Sequence, residues 1–124
     1  MRKTMTLAAT TVLVATLTLF FPSAAAAQLT PPAAPSALTA TAVSQTAITI
    51  AWTDNSDNET WFEIEYCAGS GCTDFAKIGI VMAGGTNATQ SNLAKNKTYT
   101  YRVRAYNDAG YSAYSNTASG TTLR

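Results

Sequence analysis

The stretch Leu93–Gly110, LAKNKTYTYRVRAYNDAG, limits most what this chain can fold into. Tyr99, Tyr101, Val103 and Ala105 share one parity; Thr100, Arg102, Arg104 and Tyr106 share the other. Such period-two alternation marks a strand with one buried face and one wet face. Asn107-Asp108-Ala109-Gly110 then supplies turn chemistry. The stretch reads as the central strand of a small antiparallel β-sandwich.

The remaining segments follow the same period. Ser36–Val43 reads as a first strand with Leu38 as its core contact, and Thr46–Trp52 alternates Ile48, Ile50 and Trp52 against Ala47, Thr49 and Ala51. Thr53–Thr60 is a polar loop rich in Asx-turn formers. Trp61–Cys67 points Phe62, Ile64 and Tyr66 inward and Trp61, Glu63 and Glu65 outward. Phe75–Met82 offers Ile78 and Ile80 as its apolar face, Thr86–Leu93 is a weaker polar strand, and Tyr111–Thr122 closes the chain. Seven short strands with turn signals between them predict an all-β, two-sheet sandwich.

The 124 residues divide into three parts. Arg2-Lys3, an apolar run Met5–Phe21, Pro22-Ser23 and the small residues Ala24–Ala27 have the order of a secretory signal peptide, cut after Ala27. An uncleaved anchor is the alternative, but the run is short for a span of about 20 residues. Residues 28–34 are a proline-rich lead-in that reads as a spacer or edge segment, and 35–124 form the domain. Without Arg2 and Lys3, six basic residues stand against seven acidic ones, a net charge of −1. Such a chain has no electrostatic footprint for nucleic acid or an anionic membrane. Cys67 and Cys72, in CAGSGC, are the only cysteines, and an exported pair tends to become a disulfide. A redox or metal role has less support, because the spacing is not CxxC and the chain has no histidine.

The positions of Leu38, Ile48, Ile50, Trp52, Phe62, Ile64, Leu93, Tyr99, Val103 and Ala105, with the closing run AYNDAGYSAYSN, resemble a fibronectin type III domain over roughly 32–123. DNSDNETWFEIEY resembles bacterial copies, which commonly accompany secreted polysaccharide-degrading enzymes. The resemblance implies that Trp52 is the core tryptophan of the second strand. It implies also that Tyr99 is a tyrosine corner, with Leu93 six residues before it. The family usually has a proline where this chain has Lys95, and the cysteine pair is not a family feature. The loop at Asn107–Gly110 lacks the Arg-Gly-Asp of integrin-binding members, so that activity is not implied.

Candidate chemistry is sparse. No histidine, GxSxG, Walker loop or HExxH is present, which argues against an enzyme. Glu63 and Glu65 are neighbours on one strand face, as a catalytic pair would be. Antiparallel pairing of the third and sixth strands would instead set Glu63 opposite Arg104 and Glu65 opposite Arg102, an exposed charge ladder. Asp54, Asp57 and Glu59 are oxygen ligands for Ca²⁺ or a solvated turn. The same register puts Trp61 opposite Tyr106 beside Asn107, either a patch for a sugar ring or protein partner or a cross-strand pair that only stabilises the sheet. Asn58-Glu59-Thr60, Asn87-Ala88-Thr89 and Asn96-Lys97-Thr98 fit the glycosylation pattern.

The sequence thus predicts a secreted, non-catalytic interaction or spacer module without cofactor, monomeric, with a protein or polysaccharide partner. The alternative is a carbohydrate-binding accessory protein using Trp61, Tyr106 and Asn107.

Overall fold

The computed structural model describes residues 29–124, so the expected signal peptide and its expected cut after Ala27 lie outside the described residues. Eight strands form: β1 Ser36–Ala42, β2 Ile48–Thr53, β3 Trp61–Ala68, β4 Ala76–Met82, β5 Asn87–Gln90, β6 Thr98–Asn107, β7 Gly110–Tyr111 and β8 Ala118–Thr121. They pack as two antiparallel sheets. The smaller has the order β1-β2-β5; the larger runs β4-β3-β6-β7, with β8 also paired to β6.

β6 is central because its alternation feeds two requirements at once. Tyr99, Tyr101, Val103 and Ala105 are at most 5% exposed and meet Ile48, Ile50, Trp52, Phe62 and Ile64 between the sheets. Burying each large side chain contributes on the order of 2 kcal/mol. The other face of β6 carries both arginines. Its backbone pairs β3 over eight positions, from Trp61–Tyr106 to Ala68–Tyr99.

Three expectations are corrected. The last strand is not continuous: β7 has two residues, and Ser112–Thr117 is irregular. There, side chains take over from the ladder. Ser112 Oγ accepts the Ala105 amide at 2.8 Å, and Ser115 Oγ accepts the Val103 amide at 3.0 Å. Ile78 and Ile80 do not form the core face of β4. Val81 stands opposite Phe62 and packs on the core, whereas Ile80 stands opposite Glu63, and a register shift near Ile64 accommodates Ile78 as an extra residue. The proline-rich lead-in is no free spacer from Leu29 onward. Pro32 and Pro35 are buried, which an imide tolerates because it has no N–H to satisfy. The Thr30 carbonyl accepts the side-chain amides of Asn58 and Asn107. At the opposite end of the sandwich, Gln45 Nε2 donates to the Arg124 carbonyl and the Leu123 amide to Ser44.

Candidate binding face

Along the outer face of the larger sheet, β3 and β6 hold the predicted register: Glu63 opposite Arg104, Glu65 opposite Arg102, Trp61 opposite Tyr106. The ion pairs are 3.0 Å (Arg104 Nε–Glu63 Oε2) and 2.7 Å (Arg102 Nη2–Glu65 Oε1), with Arg104 Nη2 also 3.7 Å from Glu65. The expectation of an exposed ladder fails, however. Glu63 and Glu65 are only 5% and 6% exposed. The guanidinium groups and three rings from outside β3 and β6 cover them.

Those rings and guanidinium groups form one stack. Arg102 lies between Phe75 at 4.1 Å and Tyr114 at 3.7 Å. Arg104 lies between Tyr114 at 4.7 Å and Tyr111 at 3.7 Å. Tyr111 then meets Tyr106 at 4.9 Å, and Tyr106 stacks on Trp61 at 4.1 Å and 19°. Cation–π contact of this kind contributes about 0.5–1 kcal/mol at exposed sites and more when desolvated. The Tyr114 hydroxyl donates to Glu65 Oε2 at 2.7 Å.

The electrostatics follow from that roof. Burial alone would push the Glu65 carboxyl up. The Tyr114 hydroxyl and the Arg102 and Arg104 guanidinium groups outweigh it and hold it below the usual carboxylate range. Tyr114 is pushed up in turn, by burial and by the charge it bonds. A carboxylate fixed this way is a poor proton acceptor, which argues against a catalytic Glu63–Glu65 pair.

The predicted ligand patch is altered in one member. Asn107 is 2% exposed: its Nδ2 donates to the Thr30 and Asn58 carbonyls, and its Oδ1 accepts the Ala109 amide. It locks the top loops and offers no amide to a ligand. Trp61 and Tyr106 are half-buried, while Tyr111, absent from the predicted patch, is 42% exposed. The Trp61 indole N–H is buried without an acceptor among the described residues. The sequence signal for the missing rings was the spacing Tyr111-Ser112-Ala113-Tyr114-Ser115, in which both serines bond to β6 while both tyrosines reach over it.

Elsewhere, Trp52 is 5% exposed and tilts against Phe62 at 5.4 Å. Tyr99 Oη accepts the Ala94 amide at 2.9 Å beside buried Leu93, so the corner closes with Lys95 in place. Cys67 and Cys72 are disulfide-bonded across a turn in which Gly69 and Gly71 have φ of 112° and 70°. In the loop before β3, Asp54 Oδ1 accepts the Ser56 amide, and Glu59 accepts the Ser56 hydroxyl at 2.6 Å and the Gly84 amide at 3.2 Å. Among the described residues, the one cluster of three metal-type ligands is Cys67, Cys72 and Asp74, and the disulfide consumes two of them.

The same architecture recurs in known proteins. A segment of titin domains superimposes with a TM-score of 0.66 at 26% identity, over 76% of this chain and 33% of that one. The FN1–FN3 domains of chicken CNTN1 give 0.66 at 23%, over 76% and 32%. An Fn3-like protein from Clostridium thermocellum gives 0.64 at 21%, over 77% and 97%. The chain therefore spans about a third of the titin and CNTN1 chains, and nearly all of the clostridial one. The sequence profile of the fibronectin type III domain matches residues 33–121. With that match covering both sheets, the tyrosine corner and the buried Trp52, the chain belongs to the fibronectin type III domain family.

Proposed function

We propose that this chain is an exported, non-catalytic interaction module that meets a protein partner with the outer face of its larger sheet. One observation carries the reading: the unbroken stack from Phe75 to Trp61, with Tyr111 as its most exposed tyrosine. Tyrosine, tryptophan and arginine are the residue types on which protein interfaces concentrate their affinity. Here they are held rigid before any partner arrives, so little side-chain entropy is lost on binding. The disulfide is consistent with an oxidising compartment and hence with export. Commitment of Glu63 and Glu65 to their arginines supports a non-catalytic role.

The carbohydrate reading has less support. Sugar recognition pairs a free ring face with polar groups that bond hydroxyls. Tyr106 covers one face of Trp61, the indole N–H is inaccessible, and Asn107 is buried.

The test is capture of partners from cell-surface extracts, and separately on insoluble polysaccharides, by the exported protein and its Tyr111→Ala and Trp61→Ala variants. Protein capture that falls at least tenfold in Tyr111→Ala supports the face. Equal capture by all three proteins removes it, and retention on polysaccharide alone returns the carbohydrate reading.

A further inference from the structure

β4 is a free edge. Among the described residues it pairs only with β3, and its other side carries no strand. Antiparallel ladders turn alternate N–H and C=O groups outward, so this edge offers backbone groups to another strand, although the Met82 carbonyl already accepts the Gly85 amide. Natural edges are usually blunted by charge, proline or a bulge, and β4 carries the last of these at Ile78. β4 has no proline, and its one charge is Lys77 near one end. Beyond it stand Ile78, Ile80 and Met82, exposed by 37%, 47% and 64%. Beside them a groove of about 410 Å³ opens between β4 and β5, reaching Ile50, Ile64 and Tyr101.

Charge identifies what covers this edge. The Glu63 and Glu65 carboxylates are neutralised within the sheet. Asp54, Asp57, Glu59 and Asp108 gather in the loops at the end where β3 begins and β6 finishes. Lys95, Lys97 and Arg124 gather at the opposite end, toward which Lys77 also lies, and Asp74 is the one acidic side chain among them, so the positive charges outnumber it. The domain is acidic at one end and basic at the other. Two copies side by side and antiparallel set each acidic end against a basic one; parallel copies would oppose like charges.

We propose that two copies of this chain pair antiparallel through β4 about a two-fold axis at Ile80. In that register Ile80 faces its own counterpart, and Ile78 faces Met82 of the second copy. All three exposed apolar side chains then find apolar neighbours. Lys77 comes opposite Ala83 of the second copy, next to Gly84, whose amide holds the Glu59 carboxylate. Lys77 has no ion pair among the described residues, and Glu59 has no cation. The register joins them twice, once on each side of the axis. Such a contact is isologous and closes on itself, so it makes a dimer and not a filament. One edge strand is small beside the about 1,200 Å² of a stable interface, so the dimer is a reversible one.

The experiment is sedimentation equilibrium of the exported protein in low salt, from roughly 10 μM to 1 mM, the range a small interface reaches. The mass rises from one copy toward two. Ile80→Lys, at a solvent-exposed site that leaves the core intact, weakens pairing at least tenfold while circular dichroism stays unchanged. Lys77→Glu alone and Glu59→Lys alone each oppose like charges and stay monomeric, whereas their equimolar mixture restores both contacts and dimerises. A single-copy mass up to 1 mM overturns the proposal and leaves the edge to a strand from another protein. An Ile80→Lys variant that pairs as before also overturns it. A mixture no more dimeric than its components overturns the register.

Discussion

The Tyr114 hydroxyl donates to the Glu65 carboxylate at 2.7 Å across 49 residues of chain, and this bond fastens an irregular segment over the outer face of a sheet. Without it the ring that separates Arg102 from Arg104 has no anchor on β3. Tyr114→Phe keeps the ring and loses the bond. It should cost about 1.5–3 kcal/mol, the range for a hydrogen bond to a charged group, read by urea unfolding at neutral pH.

Glu65 also sets an acid limit. Its carboxyl is held below the usual carboxylate range in the folded protein. Its stabilising contribution is therefore complete above the unfolded value, about 4.3. It is lost as pH falls through the lower, folded one. Glu59 is lowered as well, burial opposing and the Ser56 hydroxyl favouring the charged form, and adds in the same direction. The thermal midpoint should fall with pH below the range of a free carboxylate. In Glu65→Gln it should start lower at neutral pH and fall less.

Ser112 and Ser115 each satisfy a β6 amide that no strand reaches. Replacing either with alanine leaves a buried N–H without an acceptor, which costs about 1–3 kcal/mol. Hydrogen exchange should localise the effect. The Ala105 amide should lose the most protection in Ser112→Ala and the Val103 amide in Ser115→Ala, with the other β6 amides losing no more than the global destabilisation.

The tyrosine corner makes a matching case. Tyr99→Phe removes the acceptor of the Ala94 amide and should cost about 1–2 kcal/mol. Circular dichroism of the sheets should be unchanged, because the ring keeps its place in the core.

The disulfide closes a very short loop, for which chain-entropy reasoning gives about 2 kcal/mol. Reduction, or a Cys67→Ala/Cys72→Ala pair, should lower the unfolding free energy by that amount and leave the protein folded. The core cluster of Trp52, Phe62 and Tyr101 does not depend on the bridge.

Strand pairing was legible because β3 and β6 alternate without interruption, so one parity choice fixed every cross-strand partner from Trp61–Tyr106 down to Glu65–Arg102. Parity says which face a side chain takes but not what lies above it. Glu63 and Glu65 were placed correctly on the outer face, yet they are buried, because Phe75, Tyr111 and Tyr114 reach over from segments with little or no strand periodicity. The error at β4 has a different origin. Ile78 and Ile80 share a parity, but the register shift opposite Ile64 and the packing of Val81 turn the strand the other way. Asn107 read as a surface amide because its partners, Thr30 and Asn58, are remote in sequence.

The tethering of Thr30 at one end of the sandwich and of Arg124 at the other has a mechanical consequence. Tension applied through the two ends runs along the strand direction. It loads the β1–β2 and β6–β8 ladders in shear, where many bonds must yield together, instead of unzipping them one at a time. A pull strong enough to extend this domain would first have to slide whole strands past each other.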